Sequence, residues 1–168
     1  MNVELRPVPS EEREVLANLL EKYDYEFSQY NNRDVNQLGL YGYPYLDYYW
    51  NEKSRWAYFI EVDGKPAGFV MVNDYHEPGE REVNFKIAEF FVMFKYRCAG
   101  VGRQAFFKTL DTHRGRWQLV CHPKNTASVH FWSKTIDEYT KGSYELVEAY
   151  SFCKYEDGSL ANAFFFSS

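Results

Sequence analysis

Cysteine is sparse in this chain. Its three copies, Cys98, Cys121 and Cys153, lie far apart with no C-x-x-C among them. That spacing excludes a disulfide framework and leads us to expect a reduced, cytoplasmic setting. The cysteines and four histidines show no metal-ligand spacing, so no metal is expected. Long apolar runs are missing as well. The longest near the centre, Phe90 to Phe94, is far too short to span a bilayer, and the opening M-N-V-E-L-R-P has no apolar signal region, so no membrane association is expected. Internal repeats and low-complexity tracts are absent. No G-x-S-x-G or Walker motif occurs, which removes the serine-hydrolase and P-loop routes. Excess positive charge is also lacking: the net charge of −5 argues against a nucleic-acid partner.

What the chain does have is aromatic side chains, 20% of its residues, 15 of them Tyr. Tyr joins an apolar body to a polar tip, and it lines pockets as readily as it fills cores. The 168 residues, 45% hydrophobic, suffice for one domain, residues 1–168, with a proper core. Charge is unevenly placed. Residues 1–54 hold ten acids against five bases, whereas Lys95, Arg97, Arg103, Lys108, Arg114 and Arg116 face only Asp111 in their stretch. A single polyphosphate ligand suits so local a positive field.

Asn2 to Val8 alternates as a first strand, stopped by Pro7 and Pro9. Ser10, Glu11 and Glu12 read as an N-cap with an acidic first turn, after which Val15, Leu16, Leu19, Leu20 and Tyr23 recur at helical spacing. Tyr25 to Trp50 interleaves aromatics with acids and is broken by Gly39, Gly42 and Pro44, with a short helix from Leu46 to Glu52. This tyrosine-rich stretch, residues 24–54 at its widest, is too apolar to be a solvated linker. It reads either as a wall over a pocket or as an acidic face over a packed aromatic layer. In the first case Asp24, Glu26, Asp34 and Asp47 attract a cationic amine and the rings pack on its carbon stem. Strands follow at Trp56 to Val62 and Pro66 to Tyr75, joined at Asp63-Gly64, and then at Val83 to Phe94. A helix from Gly102 to His113, a strand from Trp117 to Cys121, a helix through about Tyr139 and a hairpin of Tyr144 to Tyr155 with Leu160 to Phe166 complete the chain. Ala163 to Phe166 suits either a homodimer edge or the core. The order implies a mixed α/β sheet with helices on both faces.

Glu89 to Arg103, E-F-F-V-M-F-K-Y-R-C-A-G-V-G-R, holds the strongest local signal. A strand that breaks into a Gly-rich turn and then a helix directs free N–H groups and the positive helix end at an anion, which suits phosphate. Gly100 and Gly102 remove Cβ where backbone must approach the ligand, while Arg97 and Arg103 offer charge-assisted hydrogen bonds.

Arg97-Cys-Ala-Gly100-Val-Gly102 resembles the R/Q-x-x-G-x-G/A motif of the GNAT superfamily of acyl-CoA N-acyltransferases. Phe90-Phe-Val92 followed by Tyr96-Arg97 is similar to that family's entry into the turn. Asn125-x-x-Ser128-x-x-Phe131-Trp132 resembles its N-x-x-A/S-x-x-L/F-Y segment. The element order agrees across nearly the whole chain apart from the tyrosine-rich stretch. The resemblance implies one GNAT-like domain with a mixed, mostly antiparallel central sheet of about seven strands. It implies acetyl-CoA as co-substrate, an amine as acceptor and direct transfer between them. It places Phe90, Phe91 and Val92 along the pantetheine arm. The backbone of Cys98, Ala99, Gly100, Val101, Gly102 and Arg103 goes to the pyrophosphate, and Asn125, Ser128, Phe131 and Trp132 border the arm's other side. Three departures stand out. Cys98 replaces a usual Gly. Trp132 replaces a Tyr that protonates the departing thiolate, and an indole N–H cannot do so. Ala88-Glu89 stands where the polyamine-acetylating branch has two acids.

Acyl transfer to an amine needs a base to remove the ammonium proton. Glu89, just before the turn, is the first candidate, although strand alternation leaves its face undecided. His122 is the second, with a structural role as the alternative. Tyr139, Tyr144 or a Tyr of residues 24–54 are candidate acids. The acceptor is a primary amine, of a small cationic molecule or of a peptide. Loss of the usual Tyr also fits a non-catalytic acyl-CoA-binding module.

Overall fold

The architecture was read from a computed structural model that describes residues 1–168. Seven strands form one sheet in the order β1-β2-β3-β4-β5-β7-β6. They are β1 (Val3–Pro7), β2 (Arg55–Val62), β3 (Lys65–Asn73), β4 (Phe85–Val92), β5 (Arg116–Cys121), β6 (Tyr144–Lys154) and β7 (Leu160–Ser167). Only β4 and β5 run parallel; every other pair is antiparallel. The β2–β3 connection is the two-residue turn expected at Asp63-Gly64, whose φ values of 49° and 73° match the twist of the flanking strands.

The helices are α1 (Arg13–Asn31), α2 (Tyr48–Asn51), α3 (Val101–Thr112) and α4 (Thr126–Thr140). Leu16, Leu20, Tyr49, Phe59, Phe69 and Phe91 pack α1 and α2 on one face of the sheet. Phe106, Leu110, Trp132 and Ile136 of α3 and α4 pack against Val70, Ile87, Leu119 and Phe164 on the other. The alternating strands therefore face apolar layers on both sides, as the reading of helices on both faces requires.

Helix α1 runs further than its apolar spacing suggested. Tyr25 to Asn31 continue the helix, and only residues 32–47 are irregular. Phe27 and Tyr30 extend the face begun by Leu16, Leu20 and Tyr23. Of the acids between them, Glu26 pairs with Arg97, remote in sequence, and Asp24 faces Arg33 of the following loop. Ser10 is no cap; it lies in a short 3-10 turn ahead of the helix. Ala163, Phe164, Phe165 and Phe166 are buried, and β7 is paired on both sides by β5 and β6, so it presents no edge to another copy.

Candidate active site

β4 and β5 pair only at Phe85–Ile87 with Trp117–Leu119, and then diverge. From Glu89 to Val92, β4 keeps its antiparallel partner β3 but has none on the β5 side. A wedge with one free strand edge opens here and runs into the turn. Phe90 and Val92 face α3 and α4, and Phe91 faces α1. Phe131 lies against Phe90 at a ring separation of 6.2 Å and forms the opposite wall.

At the end of the wedge, Cys98 and Gly100 take left-handed φ values of 59° and 79°. The first backbone bond of α3 runs from Gln104 N to Gly100 O, 3.1 Å. The N–H groups of Cys98, Ala99, Gly100, Val101, Gly102 and Arg103 have no acceptor within the protein. Such a row of free donors at a helix start is a ready anion site. A Cβ on Gly102 would lie 3.2 Å from the Phe131 ring, so a larger residue there crowds the wedge. Asn125 caps α4, its Oδ1 accepting from Ser128 N at 3.1 Å, which leaves its amide NH₂ free to donate. Trp132 is buried among Phe90, Phe106 and Phe131 in the core.

Both arginines of the turn are already engaged. Arg97 donates through Nη1 and Nη2 to the two carboxylate oxygens of Glu26 on α1, at 2.7 and 2.5 Å, and through Nε to Val92 O at 2.7 Å. Arg103 pairs with Glu138 of α4 and covers the Phe107 ring. The guanidinium of Arg97 thus ties α1 to the turn, and the donors left free there are those of the backbone N–H row.

The face of Glu89, undecided by alternation, is set by a bulge. Register shifts between Met71/Glu89 and Val72/Ile87, leaving Ala88 unpaired. One extra residue turns Glu89 to the α1 side, where Tyr43 Oη donates to its Oε1 at 3.2 Å. The residue is half-buried with its carboxyl turned inward, and burial pushes its pKa up to about 7. Hydrogen bonds from Tyr23 and Tyr43 and the charge of Lys86 oppose that rise, while Asp24 adds to it. The sequence placed Tyr23 on a helix face and Tyr43 among the candidate acids, but joined neither to Glu89. The helical spacing of Tyr23 with Leu16 and Leu20, and the Gly42 break ahead of Tyr43, are the signals that could have drawn attention to them.

His122 lies apart from this carboxyl in hydrogen bonding. Its Nδ1 accepts from Lys124 N at 3.1 Å, so the proton sits on Nε2, which meets Asp157 Oδ1 at 3.2 Å. The ring is fully buried, stacked on Tyr30 and against Tyr155 and Phe27. It closes one end of the α1 interface, with both nitrogens occupied. Tyr139 bonds Asp111 and Arg114 between α3 and α4, and Tyr144 packs on Phe164; neither reaches the wedge. A surface groove of about 840 Å³ runs between α4 and β6–β7 past Val129, His130 and Leu160, and contains none of these groups.

The splayed parallel pair offers a free strand edge to an extended chain and a row of N–H groups to an anion, with the Glu89 carboxyl on the same strand. The model of the acetyltransferase (GNAT) family matches residues 16–136, and the chain belongs to that family. It is an acyl-CoA-dependent acetyltransferase. Solved structures agree on the fold. An acetyltransferase from Thermus thermophilus superposes with a TM-score of 0.70 at 16% identity, covering 100% of this chain and 98% of that one. A Salmonella typhimurium acetyltransferase described as modifying the N-terminal serine of a 50S ribosomal subunit protein gives 0.68 at 14% identity, with 100% and 95% covered. A chimeric spermidine N-acetyltransferase from Vibrio cholerae gives 0.60 at 14%, with 99% and 96% covered. No curated protein matches the chain in sequence.

Proposed function

We propose that the chain moves an acetyl group from acetyl-CoA to a primary amine of a small cationic molecule, within a ternary complex. One observation carries the reading: the Glu89 carboxyl, held at about 7, stands on the same strand whose free edge leads to the N–H row at Cys98–Arg103. The pantetheine arm would pair with the β4 edge past Phe90–Val92, and the pyrophosphate would sit on the turn. Asn125, Ser128 and Phe131 border the arm. Glu89 accepts a proton from the ammonium. The freed amine nitrogen attacks the thioester carbonyl, and the tetrahedral intermediate collapses to the acetylated amine and the CoA thiolate, which takes up a proton to leave as thiol. Positioning and backbone donors supply much of the rate gain, so the chemistry does not require a Tyr at the position of Trp132.

The acceptor side favours a cation. Glu26 and Asp47 are spent on Arg97 and Arg13. Asp24 keeps an oxygen, Oδ2, buried without a hydrogen-bond partner, and its nearest base, Arg33, stands 3.9 Å from Oδ1. The test is thiol release from acetyl-CoA over a panel of amines: spermidine, a monoamine and a peptide with N-terminal serine. Small cationic amines should accelerate release, with a rate that rises with pH through about 7 as Glu89 ionises. Glu89→Gln should lower kcat by about 10²–10⁴ with CoA affinity unchanged. CoA binding without acceleration by any amine would refute catalysis.

A further inference from the structure

The segment between α1 and α2 has no regular structure, yet Tyr43 holds a hydroxyl on Glu89. The reason lies two residues earlier. The Glu21 carboxylate on α1 accepts from Tyr41 N and Gly42 N, both at 2.8 Å. Arg33 Nη2 donates to Tyr41 O at 2.7 Å and to Gly42 O at 3.0 Å. One short stretch of backbone is therefore gripped by its donors from one side and by its acceptors from the other. Upstream, Asn36 closes the loop by accepting from Leu38 N and Leu40 N through Oδ1. Gly42, at φ 68°, supplies the left-handed step that turns Tyr43 inward.

We propose that Tyr43 is the positioning residue of the general base, and that Glu21 and Arg33 hold it in place through the Tyr41-Gly42 backbone. The inference rests on reading Glu89 as the base. The Tyr43 hydroxyl bonds one carboxylate oxygen. That favours the ionised form against the burial that opposes it, and it limits rotation of the group. Burial and the nearby Glu89 charge raise the phenol's own pKa far above its usual value, so it remains a donor throughout the working range. The other ionisable groups facing Glu89 are Tyr23 and Asp24 from α1, Tyr49 from α2, Lys86 from β4 and Tyr155 beyond β6. Tyr23 and Tyr49 are carried by helices and Tyr155 directly follows β6, whereas Tyr43 sits in the irregular stretch between α1 and α2, where its placement needs a separate clamp.

The experiment is a ¹³C NMR titration of the Glu89 side-chain carboxyl in the full chain without substrates. In the unaltered protein it should titrate near 7. Tyr43→Phe should raise it by about one pH unit, since a hydrogen bond to the charged form is lost while burial stays. Glu21→Gln should raise it in the same direction. The double variant should move no further than Tyr43→Phe alone, because Glu21 acts only through Tyr43. Arg33→Gln gives an independent variant should Glu21→Gln fold poorly, and the same non-additivity is expected. An unmoved titration in Tyr43→Phe, or full additivity in the double variants, overturns the proposal. The acid limb of the rate profile should follow the titration. If the titration moves as expected but no amine is acetylated, the transferase reading fails while the positioning role stands.

Discussion

Glu89 owes its direction to Ala88. Without the bulge, a strict two-residue period would turn the carboxyl toward α3 and α4, into the layer of Ile87 and Phe106. The bulge depends on how β3 pairs with β4 and not on residue type, which is why the sequence named Glu89 but left its direction open. Arg97 teaches the same lesson. Its place in the turn was legible from the motif, whereas its partner Glu26 lies 71 residues away and could be seen only in the fold. Two further residues yield predictions. Cys98 bears the left-handed φ of 59° where a Gly would be unstrained. Relief of about 1–2 kcal/mol, less the entropy of an added Gly, should make Cys98→Gly more stable by about 1 kcal/mol in urea unfolding. Asp24 is the other case. Burial raises its pKa from 3.8 to about 6. The folded state thus favours the protonated acid: that stability is fully present below 3.8 and is lost as pH rises through 6. Asp24→Asn, permanently neutral, should therefore gain about 3 kcal/mol over the unaltered chain at pH 8 and almost nothing at pH 3.5, read from denaturant midpoints at both values.

At the scale of elements, most of the fold could be read in advance. Asp63-Gly64 and Asp157-Gly158 marked hairpins because their left-handed steps exclude most residues, and β-branched and aromatic runs marked the strands. Helix α1 was the exception. Its second half mixes Tyr25, Glu26 and Tyr30 with acids whose partners come from the turn and the loop, so its periodicity was masked by side chains that serve tertiary contacts. Close approach between β3 and β4 gives a sharp test. A Cβ on Gly68 would fall 1.9 Å from Phe91 O, a backbone atom that cannot swing aside. Gly68→Ala should cost about 3 kcal/mol or more, with an unchanged denaturant slope if the two strands still pair. At the turn, Gly102→Val should leave the helical signal in circular dichroism intact and weaken CoA binding about tenfold or more, since its side chain would occupy the wedge against Phe131. Unchanged affinity in calorimetric titration would remove the turn from the cofactor site.

Across the whole molecule, α1 links what the sheet separates. Tyr23 packs on Phe69 and Phe91 at one side of the wedge, while Phe27 and Tyr30 reach His122 past the end of β5 at the other. Within the sheet itself, the β1–β4 half and the β5–β7–β6 half are stitched only from Asn84 to Ile87. That short seam leaves the sheet as two slabs joined along one end, with α1, α3 and α4 packed across the gap. A pantetheine chain bonded to β4 would act as a splint between them. Amide hydrogen exchange should then show the β5 end and the β4 edge opening separately in the free protein, and as a single slower unit once CoA is bound.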